Sequence, residues 1–349
     1  MIAAAIKRVV DGQHLGRDEM RAVFGAVMDG LTSDVQKSAL LIALRMKGET
    51  PDEITGAAEA MRARVTPLDL GDDGMRDDLV DTCGTGGDGR GTFNVSTIAA
   101  IVAAGAGAQV AKHGNRAVSS SCGSADVLSA LGVHIDLDAP RMSEVLRRAG
   151  IAFLFAPKLH PAMAAVAGVR KELGVRTIFN VLGPLTNPAF ARRQVLGVYA
   201  DRLVEIVARV LATLGAAHAL VVHSRDGLDE ISVSDATRVC EVRDGELRSY
   251  EVTPEELGVG RHAIEHLAGG DASQNAAIAL QVLRGADAAQ GQARHDIVAA
   301  NAGAALYVAG AATSIRDGVT LAKESIASGR ALAKLEQLVT ESNAVGGVV

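Results

Sequence analysis

The sequence predicts an α/β protein with a small N-terminal helical domain and a larger α/β domain built on a mostly parallel central sheet. Three observations predict it. From about Ile2 to Arg64 the pattern is helical and strand signals are absent. Beyond a break rich in Pro, Gly and Asp, short β-rich runs alternate with helical ones. With 349 residues and 48% hydrophobic content, the chain can bury a core of that size.

Taken in order, "SDVQKSALLIALRMKG" sets Val35, Ala39, Leu40 and Ala43 at helical spacing, with a stop at Gly48 and a restart at Pro51. Thr66 to Asp78 reads as a linker, and the pairs Asp72-Asp73 and Asp77-Asp78 within it read as surface charge. The runs "DLVDTCG", "AQVAKHG", "GIAFLFAP", "QVLGVYA" and "HALVVHS" are the expected strands, separated by helical stretches such as "RMSEVLRRAG" and "RLVEIVARVLATLG". "RVCEVRDGELRSYEV" alternates around Asp244-Gly245 and reads as an antiparallel hairpin. The Ala- and Gly-rich "AAIVAAGAGA" reads as close helix packing. The expected domains are 1–68, with the segment at about 160–190 packing beside it, and 75–345.

A formal charge of -6 argues against a protein whose main task is to grip nucleic acid or an anionic membrane. Three scattered cysteines, Cys83, Cys122 and Cys240, suggest neither a disulfide framework nor a zinc site. Residues Met1 to Arg8 have the wrong order and length for a signal peptide, and no apolar run nears the roughly 20 residues of a membrane span. A cytoplasmic protein acting on small molecules is the expectation.

"GTGGDG", Gly84 to Gly89, satisfies G-x-G-x-x-G after a strand, yet it does not fit a dinucleotide turn. The next helix opens only near Asn94, expected as its cap, and Lys112 stands where a ribose-binding acid belongs. No P-loop lysine closes the loop either. What remains is a loop of small residues whose amides converge on an anion, ahead of a helix N-terminus. Asp88 inside it points to a ligand carrying ribose or metal as well as phosphate; the competing reading is an ordinary flexible loop.

A second cradle follows in "KHGNRAVSSSCGSADVLSALG": Lys112 and Arg116 bring charge, Ser119, Ser120 and Ser121 bring hydroxyls, and Ser124 is expected to cap a helix with Val127, Leu128 and Leu131 inward. Two cradles on neighbouring strands suit a ligand with two separated phosphate groups, although both cations could be solvated surface charges. In "VVHSRDGLDEIS", Asp229 and Glu230 follow a strand and could reach Mg²⁺ brought by a diphosphate, or could be surface acids. His262-Ala263-Ile264-Glu265-His266 matches a zinc-peptidase pattern without a supporting distal ligand, and Cys122 reads as a small residue in a tight loop.

"DTCGTGGDGRGTFNVST", "KHGNRAVSS", "GSADVL", "VRTIFNVLGPLTNP", "GLDEIS" and "NAGAAL" together resemble the anthranilate phosphoribosyltransferase family, in the same order and over nearly the whole chain. The resemblance implies a tryptophan-biosynthesis enzyme, dimeric through its helical part, that joins 5-phosphoribosyl 1-diphosphate to anthranilate with Mg²⁺, two ions per monomer. It implies that Gly84, Gly87, Asp88, Thr92, Asn94, Val95, Ser96 and Thr97 contact the diphosphate substrate. Lys112, His113, Gly114, Asn115, Arg116, Ala117, Val118, Ser119, Ser120 and Ser124 would form the other phosphate wall. Gly84, Asn115 and Arg176 would meet anthranilate, and Ser96, Asp229 and Glu230 the metal; no general acid or base is implied. The chain departs from the family at Cys122, where a serine is expected, and in "VSDATRV", which lacks a Gly-Pro pair. The alternatives are a pyrimidine nucleoside phosphorylase and a nucleic-acid-binding relative without the activity.

Overall fold

The computed structural model describes residues 1–71, 75–117, 121–285 and 289–347. Four helices come first: α1 (Ile2–Val10), α2 (Arg17–Met28), α3 (Asp34–Lys47) and α4 (Pro51–Arg62). Local chemistry sets their ends. Ser33 with Gln36, and Thr50 with Glu53, form reciprocal capping boxes, Gly48 closes α3 at φ 86°, and Pro51 opens α4. The helical spacing of "SDVQKSALLIALRMKG" is correct but its two faces divide: Leu40 and Ala43 are buried, whereas Val35 and Ala39 look outward.

The expected linker is more structured than its composition suggests. Leu68 and Leu70 are buried in the α/β core, and a short helix α5 (Met75–Asp78) leads directly into the sheet. There follow β1 (Leu79–Gly84), α6 (Val95–Gly105), β2 (Gln109–Gly114), α7 (Ser124–Ala130), α8 (Ala139–Ala149), β3 (Ile151–Phe155), α9 (Ala156–Leu159), α10 (Ala164–Leu173) and α11 (Phe179–Leu182). Next come β4 (Arg193–Gly197), α12 (Leu203–Thr213), β5 (His218–Ser224), β6 (Thr237–Arg243), β7 (Glu246–Val252) and α13 (Pro254–Leu257). The chain then continues through α14 (Ala272–Leu283), α15 (Ala289–Ala309), α16 (Ile315–Ala327) and α17 (Arg330–Gly346).

All five strands expected from β-rich runs are present and parallel, and the hairpin β6–β7 adds an antiparallel edge, giving the order β3-β2-β1-β4-β5-β6-β7. The hairpin turns at Asp244 (φ 50°) and Gly245 (φ 85°), the pair of left-handed residues that a tight primed turn requires.

Successive strand residues divide between two cores. Leu220 and Val222 face a cluster containing α6, α8 and α15 to α17, while Ala219 and Val221 face a cluster containing α1 to α4 and α10 to α12. The second cluster joins Phe24 of α2 to Phe179 of α11, ring centroids 5.6 Å apart. On the other face, α15 crosses α16 at two glycines: a Cβ on Gly318 would lie 2.2 Å from Gly303 O. A Cβ on Gly105 of α6 would lie 2.7 Å from Ala331 Cα, so the Ala- and Gly-rich run does serve close packing.

Candidate active site

Strand β1 has β2 on one side and β4 on the other, so the chain order reverses between β1 and β4 and opens a crevice at their C-terminal ends. Gly84 and Gly197 end those strands as register partners. The segment after β5 lies directly over them: a Cβ at Gly84 would be 2.5 Å from Asp229 Oδ2, and one at Gly197 would overlap Asp229 O at 1.6 Å. Glycine at both positions is what brings Asp229 to the crevice.

The glycine loop leaves β1 with Gly86, Gly87 and Gly89 at φ 66°, 75° and 76°, conformations that a side chain disfavours. Gly86 N donates to Asp229 Oδ2 at 2.8 Å, and Asp88 turns back to accept from Arg90 N at 3.0 Å. The Arg176 guanidinium stacks over the Tyr199 ring at 4.5 Å and closes on the loop, its Nη2 3.1 Å from where a Gly87 Cβ would stand. Tyr199 N in turn donates to Thr85 Oγ1 at 3.0 Å. Arg176, far off in sequence, therefore belongs to the same site as the loop.

Asn94 occupies the N-cap position of α6, but its side chain does not cap; it donates to Cys122 O at 3.2 Å and accepts from Asn275 Nδ2 at 3.0 Å. Instead, Glu230 Oε1 accepts from Ser96 N at 3.1 Å, and Val95 N donates to Phe93 O. The side chains of Val95 and Thr97 are buried, and Thr97 N donates to Asn94 O at 3.2 Å. Thr92 pairs with Ala268 and holds the loop's far end.

Lys112 is 4% exposed, which removes the solvated-surface reading for it. Its Nζ donates to Thr82 O at 2.5 Å and to Ser96 Oγ at 3.4 Å, so it braces β1 and α6 from below. His113 is also buried; its N–H donates to Asp81 Oδ1 at 3.1 Å and its ring meets His160, Nε2 to Nε2, at 3.1 Å. Arg116 is exposed and pairs with Asp126 at 2.9 Å.

The α7 cap differs from expectation. Gly123, not Ser124, is the N-cap; Asp126 accepts from Gly123 N at 2.9 Å and Ala117 N at 3.0 Å, while Ser124 Oγ donates to Asn115 O at 3.2 Å. An acid three residues into a helix was the available signal for Asp126. A Cβ on Gly114 would lie 2.2 Å from Ser124 Oγ, and one on Gly123 2.4 Å from Ala117 N, so this turn is as tight as the Cys122 reading required. Val118, Ser119 and Ser120 lie outside the described residues.

Two further residues shape the site. Asn301 of α15 clamps the turn after Glu230, accepting from Ile231 N at 3.0 Å and donating to Ile231 O at 2.9 Å. Asn275 of α14 ties Gly270 and Asn94 together. Asn301 opens "NAGAAL", so its position in sequence was visible while its task was not.

Electrostatics concentrate on the acid pair. Burial, and then Asp88, push Asp229 up to about 6; burial, and then Asp229, push Glu230 up to about 8, with Lys112 opposing. Three carboxylates sharing one crevice suit a hard cation that takes oxygen ligands, and a Cβ-free Gly84 leaves the cradle open beside Asp229. Among the described residues no group of three or more His, Cys, Asp or Glu forms a metal cage. The donor set therefore fits Mg²⁺ completed by substrate oxygens and water. His262 pairs with Asp296 at 2.8 Å, and His266 lies in a 3-10 turn, so the H-x-x-E-H pattern forms no shared helix face.

The chain matches the glycosyl transferase family α/β domain over residues 76–332 and the family's helical bundle domain over residues 3–65. It is 57% identical to anthranilate phosphoribosyltransferase of Anaeromyxobacter sp. (strain K) over 97% of this chain and 98% of that protein. The Pelotomaculum thermopropionicum enzyme of the same name is 53% identical over 97% and 96%. Among solved structures, that of anthranilate phosphoribosyltransferase from Thermus thermophilus superposes with a TM-score of 0.90 at 45% identity, covering 97% of this chain and 99% of that one. The Saccharomyces cerevisiae enzyme in complex with PRPP and Mg superposes with a TM-score of 0.87 at 28% identity, over 98% of both chains.

Proposed function

The chain belongs to the anthranilate phosphoribosyltransferase family, and from that premise we propose how its residues divide the work. The enzyme transfers the phosphoribosyl group of 5-phosphoribosyl 1-diphosphate to the amine of anthranilate, releasing diphosphate, in tryptophan biosynthesis. Neither the nucleoside phosphorylase nor the nucleic-acid-binding alternative is favoured.

The observation that carries the site reading is the meeting of three distant segments: the Gly86 amide and the Ser96 amide each bind one member of the Asp229–Glu230 pair. In our reading the glycine loop, Asp88, Thr92 and the Asn94 to Thr97 backbone cradle the diphosphate substrate. Gly114 to Ala117 with Ser124 form the second wall, and Lys112 and His113 of β2 support both. Arg176, with Gly84 and Asn115, receives anthranilate through a charge-assisted hydrogen bond to its carboxylate.

The amine nitrogen forms its bond to C1 of the ribose as the C1–oxygen bond to diphosphate breaks, positive charge develops on the sugar, and the nitrogen then releases one proton to water or to the departed diphosphate. Asp229, Glu230 and the Ser96 hydroxyl would hold Mg²⁺, which would neutralise the charge developing on the diphosphate; two ions per monomer is what the family resemblance implies. An aromatic amine needs little activation, so the protein mainly aligns reactants and no side chain is assigned as general base.

A homodimer is part of the same proposal. Leu31, Val35 and Met46 are 76%, 78% and 82% exposed, the last two on one face of α3. Among the described residues no helix is long and apolar enough to cross a membrane, and we place the enzyme in the cytoplasm. The test of function is to mix the protein with anthranilate, phosphoribosyl diphosphate and Mg²⁺ and follow anthranilate fluorescence; an unchanged signal at every Mg²⁺ concentration would refute the reading.

A further inference from the structure

At the opposite end of β4 from the glycine loop lies a cavity of about 380 Å³, framed by Arg62 of α4, Phe190, Gln194 of β4, Leu211 of α12, Leu214 and Ala216. Three strand steps at about 3.3 Å each separate Gln194 in its wall from Gly197 at the crevice. It is therefore a second site, on the far side of the sheet's end.

Its lining has an unusual balance. Arg62 is partly buried and spends only Nε, which donates to Leu185 O at 2.7 Å. Among the described residues its two terminal nitrogens have no hydrogen-bond partner, and no acidic residue lines the cavity. Burial pushes the guanidinium down to about 10, with the nearby Glu59 opposing, so an anion at this point relieves a cost already present. Gln194 is 5% exposed, and its Nε2 donates to Pro184 O at 2.7 Å, Cys83 Sγ at 3.1 Å and Asp81 Oδ2 at 3.4 Å. Among the described residues no donor meets its Oε1. Around this pair of unmet groups the walls are aliphatic and aromatic except at Arg192, whose Nε donates to Gly215 O and Nη1 to Asp77, each at 3.0 Å. Phe190 itself holds φ 54°, a left-handed conformation costly for a bulky residue and often kept where a ligand is bound.

A planar fork of N–H donors, a lone amide oxygen and an apolar wall match three parts of one ligand. The fork takes a carboxylate in two parallel hydrogen bonds, the oxygen takes an ammonium, and the wall takes a hydrocarbon or aromatic side chain. We propose that this cavity binds a free α-amino acid with an apolar side chain, its carboxylate on Arg62 and its ammonium on Gln194 Oε1. The site is independent of phosphoribosyl transfer.

Calorimetric titration of L-phenylalanine and L-leucine into the full chain, without substrates, tests it. Saturable binding of one molecule per chain is expected, with glycine and phenethylamine at least about tenfold weaker because each lacks one anchor. Arg62→Met should weaken L-phenylalanine about ten- to a hundredfold, the range set by one hydrogen bond to a charged group. Ala191→Trp keeps Arg62 but fills the cavity, and should abolish binding; it decides the matter alone if circular dichroism finds Arg62→Met unfolded. Arg176→Ala, in the crevice, should bind the amino acids as the parent does. No saturable heat, equal binding of phenethylamine, full binding by the folded cavity variants, or loss in Arg176→Ala would each overturn the proposal.

Discussion

Glu230 Oε1 accepts the Ser96 amide at 3.1 Å, so a carboxylate from the segment after β5 sits on the N-terminus of α6, where backbone N–H groups favour negative charge. Its neighbour Asp229 does the same for Gly86 of the loop. The double substitution Asp229→Asn with Glu230→Gln keeps size and removes the charges. We expect activity to fall by orders of magnitude, since each 1.36 kcal/mol of lost leaving-group stabilisation is about a factor of ten. The measurement is initial rate against Mg²⁺ concentration, with circular dichroism to confirm the fold. A variant with the parent's rate and Mg²⁺ dependence would place the metal elsewhere.

Arg176→Ala removes a guanidinium that touches both the Tyr199 ring and the glycine loop. A hydrogen bond to a charged group is worth about 1.5 to 3 kcal/mol, so kcat/KM for anthranilate should drop on the order of ten- to a hundredfold or more. Affinity for phosphoribosyl diphosphate should stay near the parent's. Equal losses for both substrates would make Arg176 a support of the loop instead.

Two glycines separate strain from obstruction. Gly87 and Gly89 share nearly the same φ, 75° and 76°, but a Cβ at Gly87 meets Arg176 at 3.1 Å while one at Gly89 meets nothing within 4 Å. Alanine at either position costs roughly the same backbone strain, about 1 kcal/mol. Gly87→Ala should therefore lose at least about tenfold more kcat/KM for anthranilate than Gly89→Ala, with both thermal midpoints within a few degrees of the parent. Matching losses would mean that the loop's flexibility, not its contact with Arg176, sets activity.

The fold was legible because burial on both faces leaves strands as apolar runs, and "HALVVHS" or "GIAFLFAP" can hardly be anything else between amphipathic helices. That the glycine loop and Asp229 meet follows from both leaving the C-terminal ends of parallel strands in one sheet, whereas composition alone left a flexible loop and surface acids as competing readings. The caps were not. Asn94 and Ser124 are good capping types, yet tertiary partners took them, Cys122 O and Asn275 in one case and Asn115 O in the other. Lys112 read as a cation for phosphate because its position at a strand end was visible; that its Nζ turns to Thr82 O depends on how β1 and α6 pack. Asn301 and Asn275 act across long stretches of chain on the loops they hold, a relation that no spacing encodes.

The buried histidines His113 and His160 give the fold a pH dependence of definite sign. Burial pushes His113 down to about 3, with His160 adding to the effect, and pushes His160 down to about 4. In the unfolded chain both titrate near 6.5. Between 6.5 and about 4 the unfolded state therefore holds more protons than the folded one, and stability rises with pH across that window. Read downward, stability is intact above 6.5 and is lost as pH falls through the folded values. Asp229 and Glu230 oppose this, since their raised values make the folded state take up protons first, so the parent's curve alone mixes both. His160→Gln isolates the pair, because glutamine still reaches His113 with a hydrogen-bonding group and cannot charge. Urea unfolding of parent and variant at pH 7.5 and 4.5 should show the parent losing about 1 to 3 kcal/mol more than the variant on acidification. An equal loss in both proteins, with the variant's urea slope unchanged, would mean that His160 is already charged in the folded chain at the lower pH.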